Sequence, residues 1–406
     1  MDSAGELLDR LCSQPIAGPV VPESTRILML SIVNPQVERN GAATVTRGLL
    51  KALELPPLRA QVECIPVRTE PRRWHRLAQA RSLIGSLATD LPAKAAFLHS
   101  RQLREKVQAR IRSEHYDLLV LNGSDLLWIS EYLPVSVPQV LVAHNIEHLL
   151  YSSQIKNLGW VYRPLRALLR NDCKRLRNFE WDGMGETENA IFLSHAEAVY
   201  AARFCEGLRS TTIPPLFDYR PWRRRRREAG TILEIGYLGN FRWWPNRLGL
   251  RWLAAKVLPH VKSPIRLNLF GYGSGSVWRG DPRIVGRGVV EELERVWETC
   301  DFVICPSFSS AGVCVKLAEA IYNGVPVLAT TEAARGLSLG NDPALVLLDK
   351  PEEWVEFLDS AAARDLAGRQ VSEKLAGRFA VDSHKDALQQ FVLDVISRKA
   401  ACGAAG

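Results

Sequence analysis

Short apolar runs, each followed by polar or turn-forming residues, recur along the chain and alternate with stretches of helical spacing. The runs have the length and aliphatic content of buried strands. They lie at residues 26–33, 116–123, 138–145, 189–195, 232–240, 265–273, 301–307 and 325–331. Because strands that alternate with helices build parallel sheets covered on both faces, this pattern predicts an α/β fold. In such sheets, ligands bind outside the carboxyl ends of the strands.

The intervening stretches predict helices, and one segment predicts a linker. Helical spacing follows Asn40-Gly41 and recurs at residues 98–114, 165–180 and 245–261. Near residue 215 the stretch "IPPLFDYRPWRRRRREAG" combines prolines with five consecutive arginines, which is typical of a linker. A chain of 406 residues has room for two or three domains of roughly 150 residues. We predict two Rossmann-like, doubly wound parallel-sheet domains and a C-terminal helix end and tail, at residues 1–215, 216–385 and 386–406.

The net charge and the cysteine pattern indicate which partners and which cellular location to expect. There are 52 Lys and Arg residues against 44 Asp and Glu residues, and the net charge of +8 favours anionic partners. The eight cysteines form no Cys-x-x-Cys pair and no cluster with zinc spacing, so we expect reduced thiols, as in the cytoplasm. The N-terminus lacks the apolar core of a signal peptide, and no run approaches the roughly 20 apolar residues that span a bilayer.

Two basic segments are candidates for contact with an anionic membrane. Residues 68–112 hold eleven Lys or Arg and three Asp or Glu, and residues 72–87 place apolar side chains along one helical face. An interfacial helix on anionic lipid and an ordinary helix packed on the sheet are both open interpretations. The run Arg223–Arg227 is either a solvated surface or a second contact with lipid or an anionic polymer. We expect no nucleic-acid partner, since no recognition motif accompanies the charge.

The stretch "PSFSSAGVCVKLAEAIYNGVPVLAT" at residues 306–330 places a lysine and a glutamate one helical turn apart after a glycine. At about 100° per residue, Gly312, Lys316 and Glu319 fall on one stripe beside the apolar stripe of the helix. Free N–H groups at a helix start and a lysine charge suit a phosphate, and glutamate oxygens suit a ribose diol. A surface salt bridge between Lys316 and Glu319 is the alternative interpretation.

Three of the predicted strands end in glycine-containing turns that would face one crevice. The turns are "GNFRWWPN" from Gly239, "GYGSGS" from Gly271 and the stretch that contains Gly312. Each turn alone is a weak signal, because glycine is common in turns. Three such turns at neighbouring strand ends indicate a nucleotide diphosphate site.

These segments resemble the retaining GT-B glycosyltransferases of the large GT4-type family. In the second half, "GYLGNFRWWPNRLGLRWLAAKVLPHV", "LNLFGYGS" and "AGVCVKLAEAIYNGVPVLATTEAARGL" are similar to donor-domain motifs of that family. In the first half, "NPQVERNGAATVTRGLLKAL" and "VAHNIEHLLY" are similar to its glycine loop and its histidine segment. The resemblance covers most of residues 26–340, and it implies a GT-B fold with a cleft between two domains.

The resemblance implies a role for each matching residue. Lys316, Arg242 and His144 would act on the phosphate and sugar of the donor during transfer. The predicted donor-binding set is Gly239, Asn240, Gly271, Val289, Gly312, Val313 and Glu319. Asn40 and Gly41 would shape the loop between donor and acceptor. From the residues alone, a hydrogen-bonded turn residue is the alternative for His144.

The resemblance also implies the reaction, which is transfer of a sugar from a UDP- or GDP-sugar to a hydroxyl of a glycan or lipid-linked acceptor, with retention. The chain contains no Asp-x-Asp, which argues against a divalent cation bridging the diphosphate. We expect no metal and no cofactor besides the donor substrate. The expected setting is surface polysaccharide biosynthesis, in the cytoplasm or peripherally at the inner face of the membrane. Ala311 stands where many relatives carry a glutamate, so the sugar stays unnamed.

Two functions from other classes remain open at this point. A sugar-nucleotide epimerase of the same architecture would convert its nucleotide sugar without an acceptor. A non-catalytic partner protein would bind the sugar nucleotide through the same glutamate without turnover.

Overall fold

The computed structural model describes residues 25–67, 86, 91–158, 164–222, 230–278, 280–308 and 312–404. About half of the basic segment 68–112, including all of residues 72–87 except Ser86, lies outside these residues, as do the run Arg223–Arg227 and Ala311. The predictions made on them stay predictions. Within the described part of the chain, no helix combines the length and apolarity needed to cross a bilayer.

The first sheet is built from the N-terminal half of the chain. Its strands are β1 (Arg26–Ser31), β2 (Gln61–Pro66), β3 (Leu118–Asn122), β4 (Gln139–Ala143), β5 (Asn189–Phe192) and β6 (Arg209–Thr212). They lie in the order β2-β1-β3-β4-β5-β6, and every neighbouring pair is parallel. The strand order therefore reverses between β1 and β3, which is where a doubly wound sheet opens a crevice at its carboxyl edge.

The second sheet repeats this arrangement in the C-terminal half. Its strands are β7 (Leu233–Leu238), β8 (Ile265–Phe270), β9 (Ile284–Gly288), β10 (Phe302–Cys305), β11 (Val327–Ala329) and β12 (Leu345–Leu347). They lie in the order β12-β11-β10-β7-β8-β9, again with parallel pairs throughout. Here the order reverses between β7 and β10, so the segments that follow these two strands border the crevice.

Helices connect the strands and cover the sheets. In the first half they are α1 (Gly41–Glu54), α2 (Ala93–Leu98), α3 (Arg101–Ser113), α4 (Glu147–Lys156), α5 (Arg166–Thr187) and α6 (His195–Ala201). In the second half they are α7 (Trp244–Trp252), α8 (Ser274–Val277), α9 (Glu294–Thr299), α10 (Val315–Tyr322), α11 (Thr331–Ala334), α12 (Pro351–Asp359), α13 (Ala361–Ala367), α14 (Glu373–Gly377) and α15 (Lys385–Ala404). Short 3-10 turns lie at Ser124–Tyr132, Leu258–His260 and Val381–Ser383.

The predicted α/β class with two doubly wound parallel sheets is confirmed. The eight strands predicted from apolar runs are the inner strands of the two sheets. The apolar runs do not predict the four edge strands β2, β6, β9 and β12, whose side chains are mostly half-buried or exposed. An edge strand has a neighbour on one side only, so its sequence carries a weaker apolar signal.

Two predicted helices are interrupted. The prediction at residues 98–114 spans two helices, because Ser100 caps a new helix by accepting a hydrogen bond from the Leu103 N–H (3.3 Å). The prediction at residues 245–261 keeps α geometry to Trp252 and continues as a π turn at Leu253–Val257. Pro259 follows that turn and has no N–H to donate, so regular helix ends there. The helix predicted at residues 165–180 is present and extends to Thr187.

The C-terminal helix α15 packs back onto the first half of the chain. Gln389 donates from Nε2 to the carbonyl oxygens of Ala52 (2.6 Å) and Leu55 (2.8 Å), which end helix α1. Its Oε1 accepts a hydrogen bond from the Leu58 N–H (3.1 Å). The chain also crosses between the halves where the Phe217 N–H donates to the Phe379 carbonyl (2.9 Å). The domain limits predicted at residues 215 and 385 stay predictions.

Helix α1 contacts the connection between the halves through Gly48. A Cβ at this position would lie 2.1 Å from the Leu216 carbonyl oxygen, far inside van der Waals contact. We expect Gly48→Ala to lower the free energy of unfolding by about 1–3 kcal/mol, because the backbone of Leu216 would have to shift. The matched control is Gly185→Ala in the exposed part of α5, where nothing lies within 4 Å of a new Cβ. Thermal unfolding of both variants tests the difference, and an equal Tm would contradict the close contact.

Candidate functional site

Two glycine turns lie in close contact at the carboxyl edge of the second sheet. Gly271 follows β8 with a φ of +119°, a backbone conformation that favours glycine. A Cβ there would lie 2.3 Å from the Gly239 carbonyl oxygen, so the turns after β7 and β8 pack backbone against backbone. The N–H groups of Gly239 and Gly271 both donate within the sheet, to Phe270 (2.9 Å) and Gly288 (2.6 Å). Among described residues, the Asn240 N–H has no acceptor, which leaves it available to an anion.

Asn246, at the start of α7, joins this turn to Lys316. Its Nδ2 donates to the Asn240 carbonyl (2.9 Å), and its Oδ1 accepts a hydrogen bond from Lys316 Nζ. The Tyr237 hydroxyl donates to the Asn246 carbonyl (3.0 Å), and the ammonium of Lys316 lies 5.1 Å from the centre of the Tyr237 ring. Lys316 on α10 is therefore held against the turn after β7. The crevice between β7 and β10 carries a fixed positive charge beside an open backbone N–H.

Glu319 lies one turn further along α10 and has different partners. Its Oε1 accepts a hydrogen bond from the Tyr219 hydroxyl (3.4 Å), which in turn accepts one from Nδ2 of Asn323 (2.9 Å). Burial raises the pKa of the Glu319 carboxyl to about 7, although the Tyr219 hydrogen bond and the charge of Arg47 act in the opposite direction. Lys316 and Glu319 do not pair in the described structure, so the salt-bridge alternative is wrong. Each side chain is left to act on its own part of a ligand.

Arg47 brings a second cation from the first half of the chain toward Glu319. It lies on α1, and its guanidinium donates to the carbonyl oxygens of Pro35 (2.8 Å) and Glu38 (3.1 Å) and to Oγ1 of Thr44 (3.1 Å). Burial lowers the pKa of Arg47, and the neighbouring carboxylate of Glu319 is one of the groups that raise it again. The loop before α1 and the glutamate of α10 therefore share one electrostatic environment.

Gly312 forms a direct contact between the two halves. It has a φ of +79°, and a Cβ there would lie 1.8 Å from Oδ1 of Asn145. Its N–H donates to Oε1 of Glu197 (2.9 Å), an oxygen that also accepts a hydrogen bond from the Ile146 N–H (3.1 Å). The predicted place of Gly312 beside a donor phosphate is thus occupied on one side by a carboxylate of α6. Val313 follows and packs against the apolar cores of both halves.

His144 lies at the carboxyl end of β4, on the face of the first half that meets α10. It is 9% exposed, and its Nε2 lies 2.7 Å from Oδ1 of Asn122. Nδ2 of Asn122 donates to the hydroxyls of Ser31 (3.0 Å) and Thr46 (2.8 Å), so its Oδ1 must accept from the imidazole. This network holds the Nε2–H tautomer, and burial lowers the pKa of His144 to about 4. His144 is a neutral group at pH 7, with Nδ1 available as an acceptor.

The predicted loop residues Asn40 and Gly41 begin helix α1. Asn40 caps the helix by accepting a hydrogen bond from the Ala43 N–H (3.0 Å), a role that suits a polar side chain at a helix start. A Cβ on Gly41 would lie 3.3 Å from Cβ of Val315, the first residue of α10. The starts of α1 and α10 therefore meet, and the crevices of the two sheets open toward each other.

Two further predicted residues lie at the rim of the second sheet. The guanidinium of Arg242 stacks 4.2 Å from the centre of the Tyr272 ring. The backbone N–H of Arg242 donates to Oδ1 of Asn240 (3.0 Å). Val289, predicted to meet a base, directly follows β9 and is 64% exposed. Both side chains are exposed, and their predicted roles in donor binding stay predictions. Among the described residues, no three His, Cys, Asp or Glu side chains form a group that could hold a metal ion.

The predicted set omits residues that position it. Asn246 was within reach of sequence reasoning, because it is the asparagine of the Pro-Asn pair that opens α7. Four other residues carry no local signal, because the site residues that they approach lie at least 22 positions away in sequence: Arg47 near Glu319, Asn122 at His144, Glu197 at Gly312 and Tyr219 at Glu319.

The neutral state of His144 can be tested through its partner. In the wild type, nitrogen chemical shifts should show an Nε2–H imidazole whose pKa lies near 4. Asn122→Asp would place a carboxylate beside Nε2, and we expect the pKa of His144 to rise by about 1–3 units, because the charged imidazole would gain a counter-ion. Asn122→Ala should leave the pKa of His144 low, but the imidazole should no longer be restricted to the Nε2–H tautomer. A wild-type His144 that titrates near 6.5 would contradict the buried network.

Two Rossmann-like sheets whose carboxyl edges meet at one interface define the GT-B class of fold. Residues 233–363, which include all of the second sheet, match the family model described as "Glycosyl transferases group 1". No curated protein matches the sequence.

Solved GT-B glycosyltransferases share the fold at low sequence identity. HepE of Anabaena, solved in complex with UDP-glucose, is 15% identical with a TM-score of 0.59, over 92% of this chain and 99% of HepE. Sucrose-phosphate synthase from Thermosynechococcus elongatus is 15% identical with a TM-score of 0.61, over 94% of this chain and 100% of that protein. The lipopolysaccharide outer core galactosyltransferase WaaB, in its apo form, is 9% identical with a TM-score of 0.53, over 91% and 99%.

Proposed function

We propose that this chain is a retaining GT-B glycosyltransferase of the GT4 type that moves a hexosyl group from a nucleotide-diphosphate sugar to a hydroxyl of a glycan or lipid-linked acceptor. The observation that carries the proposal is the chain of contacts from the Asn240 turn through Asn246 to Lys316, with Glu319 one helical turn away. This set lies where the strand order of the second sheet reverses, which is the ligand position of such sheets. The family match covers the same residues.

Each part of the donor has a group of suitable chemistry in this set. The diphosphate would lie against the Asn240 N–H and the ammonium of Lys316, with Arg242 at the rim. The ribose hydroxyls would donate to the carboxylate of Glu319, whose Oε1 already accepts a hydrogen bond from the Tyr219 hydroxyl. The base would extend toward the backbone at Val289. HepE, of similar fold, was solved with UDP-glucose, so UDP-sugars are the first donors to test.

Transfer would depend on positioning and charge stabilisation. The acceptor hydroxyl would attack from the side of the leaving diphosphate, which retains the anomeric configuration, and the departing phosphate would take its proton. Lys316 would stabilise the charge that develops on the phosphate. Neutral His144, fixed by Asn122, would offer Nδ1 as an acceptor to a hydroxyl of the sugar. The absence of Asp-x-Asp in the sequence supports transfer without a divalent cation.

The place of the reaction is part of the same proposal. We propose synthesis of a surface polysaccharide in the cytoplasm, with peripheral contact at the inner face of the membrane through the basic segments 68–112 and Arg223–Arg227. WaaB, which has a similar fold, acts on the lipopolysaccharide outer core, and this supports a lipid-linked acceptor. Vesicles with and without anionic lipid would test the contact by co-sedimentation.

The deciding experiment incubates the purified protein with UDP-, GDP- and ADP-sugars, with and without a lipid extract. Nucleotide release that depends on the extract is the expected result, and the anomeric configuration of the product should match that of the donor. Isomerised donor without an acceptor would instead identify an epimerase. Binding without release in any mixture would identify a non-catalytic partner protein.

A further inference from the structure

The side chain of Glu197 joins segments from both halves of the chain. Glu197 lies in the first turn of α6, shortly after the carboxyl end of β5, and is 6% exposed. Its Oε1 accepts hydrogen bonds from the N–H groups of Ile146 (3.1 Å) in the first half and Gly312 (2.9 Å) in the second half. These donors lie 51 and 115 positions away in sequence, so only the assembled fold brings them to one oxygen.

This use of a glutamate differs from its common role at a helix start. A glutamate at the third position of a helix often turns back to the backbone N–H of its own N-cap residue. Glu197 is at that position of α6, after the N-cap Ser194, but its Oε1 accepts from Ile146 and Gly312 instead. Its other oxygen, Oε2, is buried and has no hydrogen-bond partner among the described residues. The carboxyl group therefore acts between segments of the chain and not within its own helix.

The turn at Gly312 is tightly packed where the carboxyl group holds it. A Cβ on Gly336 would lie 3.2 Å from the Gly312 carbonyl oxygen and 3.5 Å from Cβ of Ser194. On another side of the turn, Oδ1 of Asn145 fills the space that a Cβ on Gly312 would need. The position of this turn of the second half therefore depends on residues of the first half.

The two N–H groups keep their acceptor whether or not Glu197 is ionised. Burial raises the pKa of Glu197, while the hydrogen bonds from the Gly312 and Ile146 N–H groups act in the opposite direction. A carboxyl oxygen accepts hydrogen bonds in both protonation states. Because a buried backbone N–H without a partner costs free energy, loss of this side chain would destabilise both contacts at once.

We propose that Glu197 is a positioning residue that fixes the His144 segment of the first half against the Lys316 segment of the second half. Ile146 follows His144 by two residues, and Gly312 precedes Lys316 by four residues. One carboxyl oxygen thus sets the spacing between the neutral imidazole and the ammonium across the interface. The N–H of Gly312 serves this contact and is not a phosphate ligand.

The consequence for sugar transfer rests on the proposed function. The proposed UDP contacts at Asn240, Lys316 and Glu319 all belong to the second half, so UDP can bind without Glu197. Transfer also needs His144 beside the sugar, and a misplacement of about 1 Å can lower a rate by about 100-fold. Loss of Glu197 should therefore lower kcat and leave the affinity for UDP nearly unchanged.

The contact between the halves is tested without substrate, by hydrogen–deuterium exchange of the Ile146 and Gly312 amides in the full chain. Both amides should be protected in the wild type. Glu197→Ala should raise both exchange rates by about 10-fold or more, because both amides lose their acceptor. Glu197→Gln keeps a carbonyl oxygen and should keep most of the protection, and Glu206→Ala, at an exposed position of the same half, should change neither rate. Unprotected amides in the wild type, or unchanged protection in Glu197→Ala, would overturn the proposal.

Other contacts should keep these variants folded. Gln389 of α15 still binds the end of α1, and the Phe217 N–H still donates to the Phe379 carbonyl. The Tm of each variant checks this. If Glu197→Ala does not fold, Glu197→Met repeats the exchange test with a longer side chain that offers no strong acceptor.

The effect on the reaction is tested by comparing turnover with binding. Glu197→Ala should lower kcat for sugar transfer by about 10- to 100-fold, while the Kd of UDP changes by less than about twofold. Glu197→Gln should restore most of kcat, and Glu206→Ala should match the wild type. A gain in UDP affinity of about tenfold in Glu197→Ala would overturn the proposal, since the carboxyl group would then compete with the donor for the Gly312 N–H.

The outcomes separate this proposal from the proposed function. If UDP does not bind the wild type, the donor site fails, while amide exchange still decides the role of Glu197. If UDP binds and Glu197→Ala turns over at the wild-type rate, the donor site stands and the positioning role of Glu197 fails.

Discussion

Lys316→Met is expected to lower kcat by about 10²–10³-fold, because one charged donor to the leaving diphosphate would be lost. Methionine keeps much of the length and apolar contact of the lysine stem against the ring of Tyr237. The change therefore removes the charge and the hydrogen bond to Asn246 without opening a large gap. Since the phosphate becomes more negative as it departs, we expect kcat and kcat/KM to fall together. Initial rates of nucleotide release in the presence of acceptor measure both quantities.

Two further variants show whether the effect belongs to the charge at this position. Lys316→Arg keeps the charge but not the fit against Asn246, so its rate should lie between those of the wild type and Lys316→Met. Lys256→Met removes an exposed lysine of the same half and should leave the rate unchanged. A Lys316→Met protein that is folded, binds UDP and turns over near the wild-type rate would remove Lys316 from the proposed site.

Sequence periodicity predicts the strands at the centre of each sheet because those strands are buried on both faces. β3 and β10 are buried at every residue, and their sequences are continuous apolar runs apart from Asn122 at the end of β3. β6 has a neighbouring strand on one side only, and its sequence, Arg-Ser-Thr-Thr, contains no apolar residue. Its strand conformation depends on its backbone pairing with β5, and a sequence window does not contain that partner. The edge strands are therefore fixed by tertiary structure.

The candidate site divides in the same way between local and distant signals. Asn40 could be predicted as a helix cap, and Lys316 and Glu319 as neighbours on one stripe, because these relations extend over three or four residues. The direction in which each side chain then points depends on partners elsewhere: Lys316 turns to Asn246, and Glu319 turns to Tyr219. Sequence spacing alone could not distinguish this outcome from a salt bridge.

Gly312 shows a second limit. Sequence reasoning assigns it a close approach to an anion, which is one use of a glycine. In the structure its positive φ and missing side chain also make room for Asn145 from the other half of the chain. Its N–H is bound by Glu197, a residue 115 positions away in sequence. A glycine in a turn signals a close approach, while the identity of the approaching group comes only from the assembled fold.

The second large effect is expected at Glu319, where Glu319→Ala should weaken UDP binding by about 10- to 100-fold. Hydrogen bonds to a charged group contribute about 1.5–3 kcal/mol, and the ribose would lose its acceptor. Glu319→Gln keeps the shape and one acceptor oxygen, so it should lose less affinity. Calorimetric titration with UDP measures each Kd, with Glu356→Gln, at an exposed position of α12, as the matched control. Unchanged affinity in Glu319→Ala would refute the ribose assignment.

Because the pKa of Glu319 is raised, both UDP affinity and protein stability should depend on pH, and in opposite directions. Because burial raises the pKa to about 7, the free protein carries a largely protonated Glu319 at pH 6. Ribose hydroxyls donate best to the ionised form, so UDP affinity should fall as the pH drops below 7, by up to about tenfold per pH unit.

The stability of the unliganded protein should change with pH in the opposite direction, and should fall as the pH rises. A buried carboxyl whose folded pKa lies above its unfolded value stabilises the fold below pH 4.5, and this contribution is lost as the pH rises through 7. Glu319→Gln has no such charge to bury, so its Tm should rise relative to the wild type between pH 5 and pH 8 while its UDP affinity stays low and independent of pH. If a buried carboxylate holds the ribose, UDP affinity should rise with pH while the stability of the free protein falls. Both changes have one cause: desolvation makes the ionised carboxylate costly to bury, and it also makes that carboxylate a stronger hydrogen-bond acceptor.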